Sequence, residues 1–237
     1  KSYVFYTKKE ALEWTSKTIF PKVFKLRGGS GSLNVELIRN KYQAKRKINK
    51  AFGKGFPAFD RWNIVKEKIS QLRREKNSEN FIGLIKSTGR LFIPAKNRLL
   101  LPRQKGYAFF QDFIPDNTYD TRVVVIKNRA FAGRRYVRKN DFRASGSGIW
   151  GFDKELFDER CIKIAFETSE KLGSQVMAYD FIFDKDEPKI VEISYATCLG
   201  PYDKCIGHWD REMNWHPGKF KQQIWMIEDF IESIKKG

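Results

Sequence analysis

The stretch that most constrains the fold runs from Met177 to Ser194, with the sequence MAYDFIFDKDEPKIVEIS. Apolar and β-branched residues on both sides of the turn-forming segment DKDEP predict two short strands joined as a hairpin. Each predicted strand contains one acidic residue in an otherwise apolar run, Asp180 in the first and Glu192 in the second. Side chains that lie opposite each other on paired strands come close together. The stretch therefore predicts a hairpin that carries two facing carboxylates.

Two facing carboxylates repel each other unless a positive charge lies between them. Mg²⁺ is a hard cation that prefers carboxylate oxygens, so the acid pair indicates a magnesium site. The pair alone fits the solvent-exposed face of a hairpin equally well, because charged residues usually cover protein surfaces. The surrounding sequence is needed to separate these two interpretations.

The charge of the chain favours an anionic partner. Its 237 residues include 46 Lys and Arg against 28 Asp and Glu, which gives a formal net charge of +18. Such a field attracts nucleotides, nucleic acids, acidic saccharides or an anionic membrane surface. The sequence contains no secretory signal, no apolar run as long as a membrane span and no paired metal spacing among its 3 cysteines. We expect a cytoplasmic protein without a transmembrane segment.

A glycine- and serine-rich loop follows a predicted strand near the start of the chain. The strand Pro21–Leu26 runs into the loop Arg27–Ser32, with the sequence RGGSGS. Glycines allow close backbone approach to a ligand, and exposed N–H groups in such a loop can bind phosphate. Lys25, just before the loop, would add a point charge for the same phosphate. An ordinary glycine hairpin has the same composition, and the loop lacks the GK[ST] ending of a P-loop.

The region 41–105 predicts a basic, partly helical insertion. Val35–Lys50 is compatible with a helix, and Arg61–Lys76 places four apolar residues at core spacing, namely Trp62, Val65, Ile69 and Leu72. Charges of this kind most often form a solvated face. The region is still the best candidate surface for a large anionic partner.

Further strands, a second polar loop and two helices are predicted in the remaining sequence. The strands are expected at 108–114, 120–126 and 129–137, with a tight turn at 127–128, and the loop at 141–148. The helix Phe157–Leu172 presents one face made of Cys161, Ile164, Ala165, Thr168 and Leu172, and Gly173 ends it. The helix Phe220–Lys236 presents Ile224, Ile227, Ile231 and Ile234, which we expect to point inward.

Taken in order, these parts resemble the ATP-grasp superfamily, and within it the carboxylate–amine ligases related to the ribosomal S6 modification enzyme and glutathione synthetase. The resemblance rests on FPKVFKLRGGSGS, on QDFI followed by DTRVVVI, on NDFRAS, and on AYDFIF with VEIS. The resemblance extends from about Pro21 to Ile38 and from Tyr107 to Ser194, which is roughly half of the chain. The resemblance implies an α+β fold of two lobes whose antiparallel sheets clasp ATP.

The resemblance also implies a set of site residues. The nucleotide would be held by Lys25, by the loop residues Arg27, Gly28, Gly29, Ser30, Gly31 and Ser32, and by the adenine-reading hinge residues Gln111, Asp112, Phe113 and Ile114. The transferred phosphate would be held by Arg122 and Arg143. Mg²⁺ would be bound by Asp180, Glu192 and Ser194. The family pattern has asparagine where this chain has Ser194, and a serine hydroxyl has a shorter reach.

The same resemblance divides the chain into a small lobe at 1–106, which includes the basic insertion, and a large lobe at 107–237 with the C-terminal helix. Family members usually have an N-terminal domain and another ATP-contacting lysine upstream. Neither is present in this sequence, and we expect both to precede it in the native polypeptide.

The implied activity is that of an ATP- and Mg²⁺-dependent ligase. It would form an acyl phosphate from a carboxylate and join it to an amine or similar nucleophile, releasing ADP and phosphate. The basic charge favours an anionic small molecule or a saccharide-linked substrate. One alternative is a kinase of the same fold that acts on a sugar or phosphosugar. The other is a basic nucleic-acid-binding protein, which is disfavoured because the aromatic residues lie mostly in apolar runs.

Overall fold

The computed structural model describes residues 1–27, 34–57, 102–138, 141–195 and 200–236, with isolated positions at 69, 82, 83, 85 and 88. The chain divides into two units, Lys1–Phe113 and Ile114–Gly237. Each unit contains an antiparallel sheet and helices, so the predicted α+β class with antiparallel sheets is confirmed. The division falls after Phe113, whereas the sequence analysis placed the lobe boundary after Gly106.

The first unit is built on a four-stranded sheet with the strand order β1-β4-β2-β3. Its strands are β1 (Ser2–Phe5), β2 (Lys22–Lys25), β3 (Val35–Ile38) and β4 (Ala108–Asp112). The strand β4 lies in the middle of this sheet, where it pairs with both β1 and β2. The central position of β4 buries Phe110, as expected for an apolar strand.

Two helices cover the first sheet. The helix α1 (Lys8–Lys17) begins at Thr7, whose hydroxyl accepts a hydrogen bond from the N–H of Glu10 at 3.3 Å. The helix α2 (Lys41–Ala51) begins at Asn40. The predicted helix at Val35–Lys50 is wrong in its first part, because Val35–Ile38 instead pairs with β2. The prediction for 61–76 lies outside the described residues, apart from Ile69.

The second unit is built on a seven-stranded sheet with the order β11-β10-β6-β5-β8-β9, and β7 also pairs with β6. Its strands are β5 (Tyr119–Ile126), β6 (Arg129–Tyr136), β7 (Trp150–Gly151), β8 (Val176–Asp184), β9 (Glu187–Ser194), β10 (Gly207–Asp210) and β11 (Trp215–Pro217). The turn Lys127–Asn128 joins β5 to β6, with Lys127 at a positive φ of 50°. This two-residue turn fixes the register of the pair.

The predicted hairpin is formed by β8 and β9. Its register places Asp180 opposite Glu192 and Ala178 opposite Ser194. A β-bulge shifts the register between Asp180 and the next residue of β8. The expected cross-strand pairing of the two acids is therefore confirmed.

The two faces of the second sheet are covered differently. The helix α3 (Glu159–Leu172) packs on one face, and its buried residues are Cys161, Ile162, Ala165, Phe166 and Ser169. The predicted face of this helix is partly wrong, because Leu172 is 52% exposed and Phe166 is buried instead. The other face carries Val124, Ile126, Phe131 and Ala178 beneath Tyr202 and Cys205.

The C-terminal helix α4 (Gln222–Lys236) presents a different face to the protein than predicted. Gln222 and Asp229 are buried, and Trp225 stacks on Phe220 with ring centroids 4.4 Å apart. The isoleucines that were expected to point inward are exposed, namely Ile224, Ile227, Ile231 and Ile234. The inward prediction was wrong because an aromatic ring and a carboxylate hold the opposite face of the helix. None of the helices among the described residues has the length and apolar character that a membrane crossing needs.

Candidate active site

Four charged residues meet on the face of the second sheet that lies away from α3. They are Asp120 and Arg122 of β5, Arg135 of β6, and Asp180 of β8, and we call them the arginine–carboxylate cluster. Because side chains alternate between the faces of a strand, residues opposite each other on neighbouring strands share a face. Arg122 lies opposite Asp180, and Asp120 lies opposite Arg135. The strand register thus assembles the cluster from three strands.

Asp180 is the centre of this cluster. Arg122 donates from Nε to Oδ1 at 2.5 Å and from Nη2 to Oδ2 at 2.8 Å. Arg135 donates from Nη2 to the same Oδ2 at 2.6 Å. Asp180 is 4% exposed. A buried carboxylate is stable only when it is paired, and here two guanidinium groups supply that pairing.

Arg135 also holds Asp120 by two hydrogen bonds, from Nε to Oδ1 at 2.6 Å and from Nη2 to Oδ2 at 2.7 Å. Arg135 is 3% exposed, so it links the two carboxylates inside the protein. Burial would raise the pKa of Asp180, but Arg135 and Arg122 outweigh burial and lower that pKa. Burial raises the pKa of Asp120 to about 6, against the opposing effect of Arg135. Asp180 therefore carries the firmer negative charge of the two.

The predicted metal ligands Glu192 and Ser194 lie on β9 beside the cluster. Glu192 is exposed and lies opposite Asp180, and Ser194 is half-buried. A carboxylate offers about four acceptor positions, and Asp180 uses three of them for the arginines. Within the described ranges, no group of three or more metal-binding side chains is found.

Two hard carboxylates and a hydroxyl on one face fit Mg²⁺, which is usually bound by one or two carboxylates with phosphate oxygens and water. The residues present can therefore share an ion with a phosphate ligand. The arrangement is too poor in carboxylates to enclose the ion with protein groups alone.

Two aromatic residues border the cluster and were not identified from the sequence. The rings of Trp150 and Tyr202 are 5.5 Å apart, and the guanidinium of Arg135 lies 5.8 Å from the Trp150 ring centroid. The hydroxyl of Tyr202 is buried without a hydrogen-bond partner among the described residues, and burial raises its pKa. Gly133 makes room for Trp150, because a Cβ at this position would lie 2.8 Å from the indole ring.

The second predicted phosphate-holding arginine, Arg143, is bound within its own loop. Its guanidinium donates to Asp141 from Nε to Oδ1 at 2.9 Å and from Nη2 to Oδ2 at 2.7 Å. Burial would raise the pKa of Asp141, but the hydrogen bond from Arg143 outweighs it and lowers that pKa. Arg122 joins the arginine–carboxylate cluster, whereas Arg143 is oriented by a local ion pair.

Two of the predicted nucleotide-binding residues, Lys25 and Arg27, lie at and just after the end of β2. Lys25 ends β2, and the N–H of Arg27 donates to the hydroxyl of Tyr107 at 2.7 Å. The residues Gly28, Gly29, Ser30, Gly31 and Ser32 lie outside the described ranges.

The predicted hinge begins at the end of β4. Gln111 donates through its side chain to Ser2 at 3.3 Å. Asp112 accepts a hydrogen bond from Lys22 at 2.5 Å. Phe113 and Ile114 follow and are both half-buried.

Comparison with known proteins gives structural similarities only, because no family model and no curated protein matches the chain. A RimK domain protein ATP-grasp from Sphaerobacter thermophilus is similar with 14% identity and a TM-score of 0.41, over 81% of this chain and 50% of that one. A phosphoribosylamine–glycine ligase from Thermotoga maritima is similar with 18% identity and a TM-score of 0.48, over 82% and 42%. A RiPP-associated ATP-grasp ligase from Chryseobacterium gregarium, in complex with ADP and a leader and core peptide, is similar with 13% identity and a TM-score of 0.47, over 86% and 49%.

Two of these three proteins bear the name of the superfamily that the sequence motifs resemble. With TM-scores below 0.5, the similarities do not assign an activity. The chain spans half or less of the length of these three proteins. The function therefore has to be argued from the site.

Proposed function

We propose that the protein is an ATP- and Mg²⁺-dependent carboxylate–amine ligase of the ATP-grasp type. The observation that carries the proposal is the pairing of Asp180 with Glu192 next to Arg122 and Arg135, on one face of the second sheet. Acidic oxygens that hold a cation and guanidinium groups that bind phosphoryl oxygens are recurring parts of sites that catalyse phosphoryl transfer. The order of the sequence motifs supports the same proposal.

Asp180 and Glu192, with Ser194, are proposed to hold Mg²⁺, which would neutralise charge on the phosphates when bound. Arg135 acts as a positioning residue, because it is buried and fixes Asp180 from one side while Asp120 fixes Arg135 in turn. Arg122 is less buried than Arg135, with 16% of its side chain exposed. It is therefore the arginine of the cluster that would contact the transferred phosphoryl group.

The remaining predicted residues have roles that follow from the sequence resemblance. Lys25 and the loop from Arg27 to Ser32 would contact and cover the triphosphate. Gln111 to Ile114 would read the adenine through backbone groups. Arg143, oriented by Asp141, would hold a phosphoryl oxygen. The net charge of +18 favours an acidic acceptor, either a small molecule or a saccharide-linked compound.

The reaction is tested by incubating the full-length native protein with Mg²⁺–ATP, a panel of carboxylic acids and hydroxylamine. An acyl phosphate reacts with hydroxylamine, so the expected result is a hydroxamate together with ADP and phosphate. AMP and pyrophosphate as products would overturn the proposal. A phosphorylated sugar without any hydroxamate would instead support a kinase.

The metal assignment is tested by Glu192→Gln, with Glu187→Gln on the same strand as the matched control because it is also exposed. The first variant is expected to weaken Mg²⁺-dependent binding of ATP by at least about tenfold, or about 1.4 kcal/mol. The control should bind as the parent does. Isothermal titration with and without Mg²⁺ measures both. Equal ATP affinities in the two variants would contradict the assignment. A third variant, Ser194→Asn, should still bind ATP in the presence of Mg²⁺.

A further inference from the structure

The first residue of β2 is a buried lysine. Lys22 is 9% exposed, and its ammonium group donates to Oδ1 of Asp112 at 2.5 Å. A lysine is almost never buried without a partner, because removing an ammonium group from water costs free energy. The amino group of Lys1 lies 3.1 Å from Oδ2 of the same carboxylate, but the Lys1 side chain is 87% exposed. Lys22 is therefore the buried partner of Asp112.

The register of the first sheet brings this pair together. The strands β2 and β4 are antiparallel, and Lys22 lies directly opposite Asp112. Opposite residues of paired strands place their side chains on the same face and within reach of each other. The ammonium group of Lys22 also lies 5.3 Å from the ring centroid of Tyr3 on β1. Three strands of the sheet thus fix the position of this lysine.

The ion pair lies where the regular strand ends and the predicted hinge continues. Asp112 is the last residue of β4, and Phe113 and Ile114 follow it directly. The N–H of Asp112 donates to the carbonyl oxygen of Lys1 at 2.8 Å, so the backbone of β4 is hydrogen-bonded up to this residue. An ion pair on the last residue of a strand limits the backbone conformations of the segment that follows.

We propose that Lys22 is a positioning residue for the recognition of adenine. This inference rests on the proposed function, in which Gln111 to Ile114 read the base through backbone groups. Such groups bind best when they are ordered before the ligand arrives, because ordering a segment during binding lowers the affinity. Lys22 supplies this order through the carboxylate of Asp112 and does not itself contact the nucleotide.

A second lysine of the same unit offers a matched control. Lys47 of α2 forms an ion pair with Glu36 of β3, and its ammonium group lies 5.9 Å from the ring centroid of Phe24. The two lysine side chains are similarly covered, with 16% of Lys47 and 11% of Lys22 exposed. Glu36 lies within β3 and outside the predicted hinge. Loss of either ion pair should lower stability, whereas only loss of the Lys22 pair should disturb the hinge.

The inference is tested by isothermal titration of the full-length native protein with Mg²⁺–ATP and with Mg²⁺–tripolyphosphate, which has the three phosphates of ATP but no base. Lys22→Met is expected to weaken ATP binding by at least about tenfold and to leave tripolyphosphate binding unchanged, because only the contacts to adenine lose their order. Lys47→Met should bind both ligands as the parent does. Urea unfolding of each variant measures its stability separately.

The double variant Lys22→Met with Asp112→Asn separates positioning from stability. The single change leaves a partly buried carboxylate without its buried partner, whereas the double change removes both charges and should regain most of the lost stability. ATP affinity should stay as low as in the single variant, because the ion pair that orders the hinge is still missing.

The possible outcomes distinguish this inference from the proposed function. If the parent binds ATP and Lys22→Met binds it equally well, the role of Lys22 is wrong and the proposed function stands. Equal weakening of ATP and tripolyphosphate binding would also overturn the role, because the effect would not be confined to the base. So would a double variant that regains ATP affinity together with stability. A parent that binds no ATP would overturn the proposed function and this inference with it.

Discussion

The helices α3 and α4 of the second unit have similar amphipathic sequences, but their apolar residues face in opposite directions relative to the sheet. In α3 the apolar residues face the sheet, and Cys161, Ile162 and Ala165 are fully buried. In α4 the row of isoleucines faces away from the sheet, and each of them is about half exposed or more. An apolar stripe indicates that a helix face is covered, but it does not say whether the same chain covers it.

The difference comes from what lies on the other side of each helix. The outward side of α3 carries charged residues that prefer water, such as Lys163 and Glu167. The inward side of α4 carries Trp225 and Asp229, and both contact Arg129 of the β5–β6 hairpin. The guanidinium of Arg129 lies over the ring of Trp225 and forms an ion pair with Asp229. A tryptophan ring and a buried ion pair thus outweigh four isoleucines in orienting the helix.

The largest expected effect is the difference in stability between removing a buried isoleucine from α3 and removing an exposed one from α4. Ile162→Ala in α3 should lower the free energy of unfolding by about 2 to 4 kcal/mol, because Ile162 is fully buried and the change leaves a cavity. Ile227→Ala in α4 should change it by less than about 0.5 kcal/mol, as expected for a surface residue. Urea unfolding at low protein concentration measures both. Equal losses would contradict the comparison.

A smaller effect tests the anchor of α4. Asp229→Asn should destabilise the second unit by about 1 to 2 kcal/mol, because it removes a buried charge that pairs with Arg129 and Lys127. Glu232→Gln removes another carboxylate that pairs with Lys127, but the Glu232 side chain is 56% exposed. This control should cost less than about 0.5 kcal/mol. If both variants unfold at the same urea concentration, the buried ion pair does not orient the helix.

The smallest effect depends on pH and acts mainly on α4. His208 of β10 lies under this helix, with its ring centroid 4.7 Å from that of Trp225. Burial lowers the pKa of His208, with His216 and Arg129 adding to the shift and Asp210 opposing it. Because the folded-state pKa of His208 lies below the ordinary histidine value of about 6.5, neutral His208 stabilises the fold above about pH 6.5, and this stabilisation is lost as the pH falls from there through the folded-state pKa.

Amide hydrogen exchange should therefore show weaker protection of α4 at about pH 5.5 than at about pH 7.5, after correction for the intrinsic pH dependence of exchange. The two pH values bracket the ordinary histidine pKa of about 6.5. Protection of α3 should change less. His208→Phe keeps an aromatic ring but cannot be protonated, so it should reduce the pH dependence of α4. A pH dependence that persists in this variant would assign the effect to other groups.

Much of the fold could be predicted from local patterns. The hairpin β8–β9 and the strands β5 and β6 follow from alternating apolar residues and short turns, and α1 follows from its capping residues. The strand β3 was missed because pairing with β2 overrides the helical preference of its residues. The orientation of α4 was missed because its anchors, Lys127 and Arg129, are distant in sequence.

The candidate site could be predicted in part, because some of its residues are close together in the sequence. Asp180 and Glu192 belong to one hairpin, so their pairing is a local property. Arg135 was overlooked, although its position could have been predicted from the sequence. The two-residue turn between β5 and β6 places Arg135 opposite Asp120. The approach of Trp150 could have been suspected from a glycine inside β6, since such a glycine often marks close packing. Tyr202 reaches the site from a distant segment, and no local pattern indicates it.

The turn Lys127–Asn128 has a consequence for how this protein can vary during evolution. Surface turns usually accept insertions and deletions, and the Lys127 side chain is 37% exposed. One inserted residue that shifted β6 against β5 would move Arg135 to the opposite face of the sheet. The same insertion would displace the cations that hold α4. Amino-acid exchanges at Asn128 should be tolerated, whereas a change in the length of this turn would disturb two distant parts of the molecule in one step.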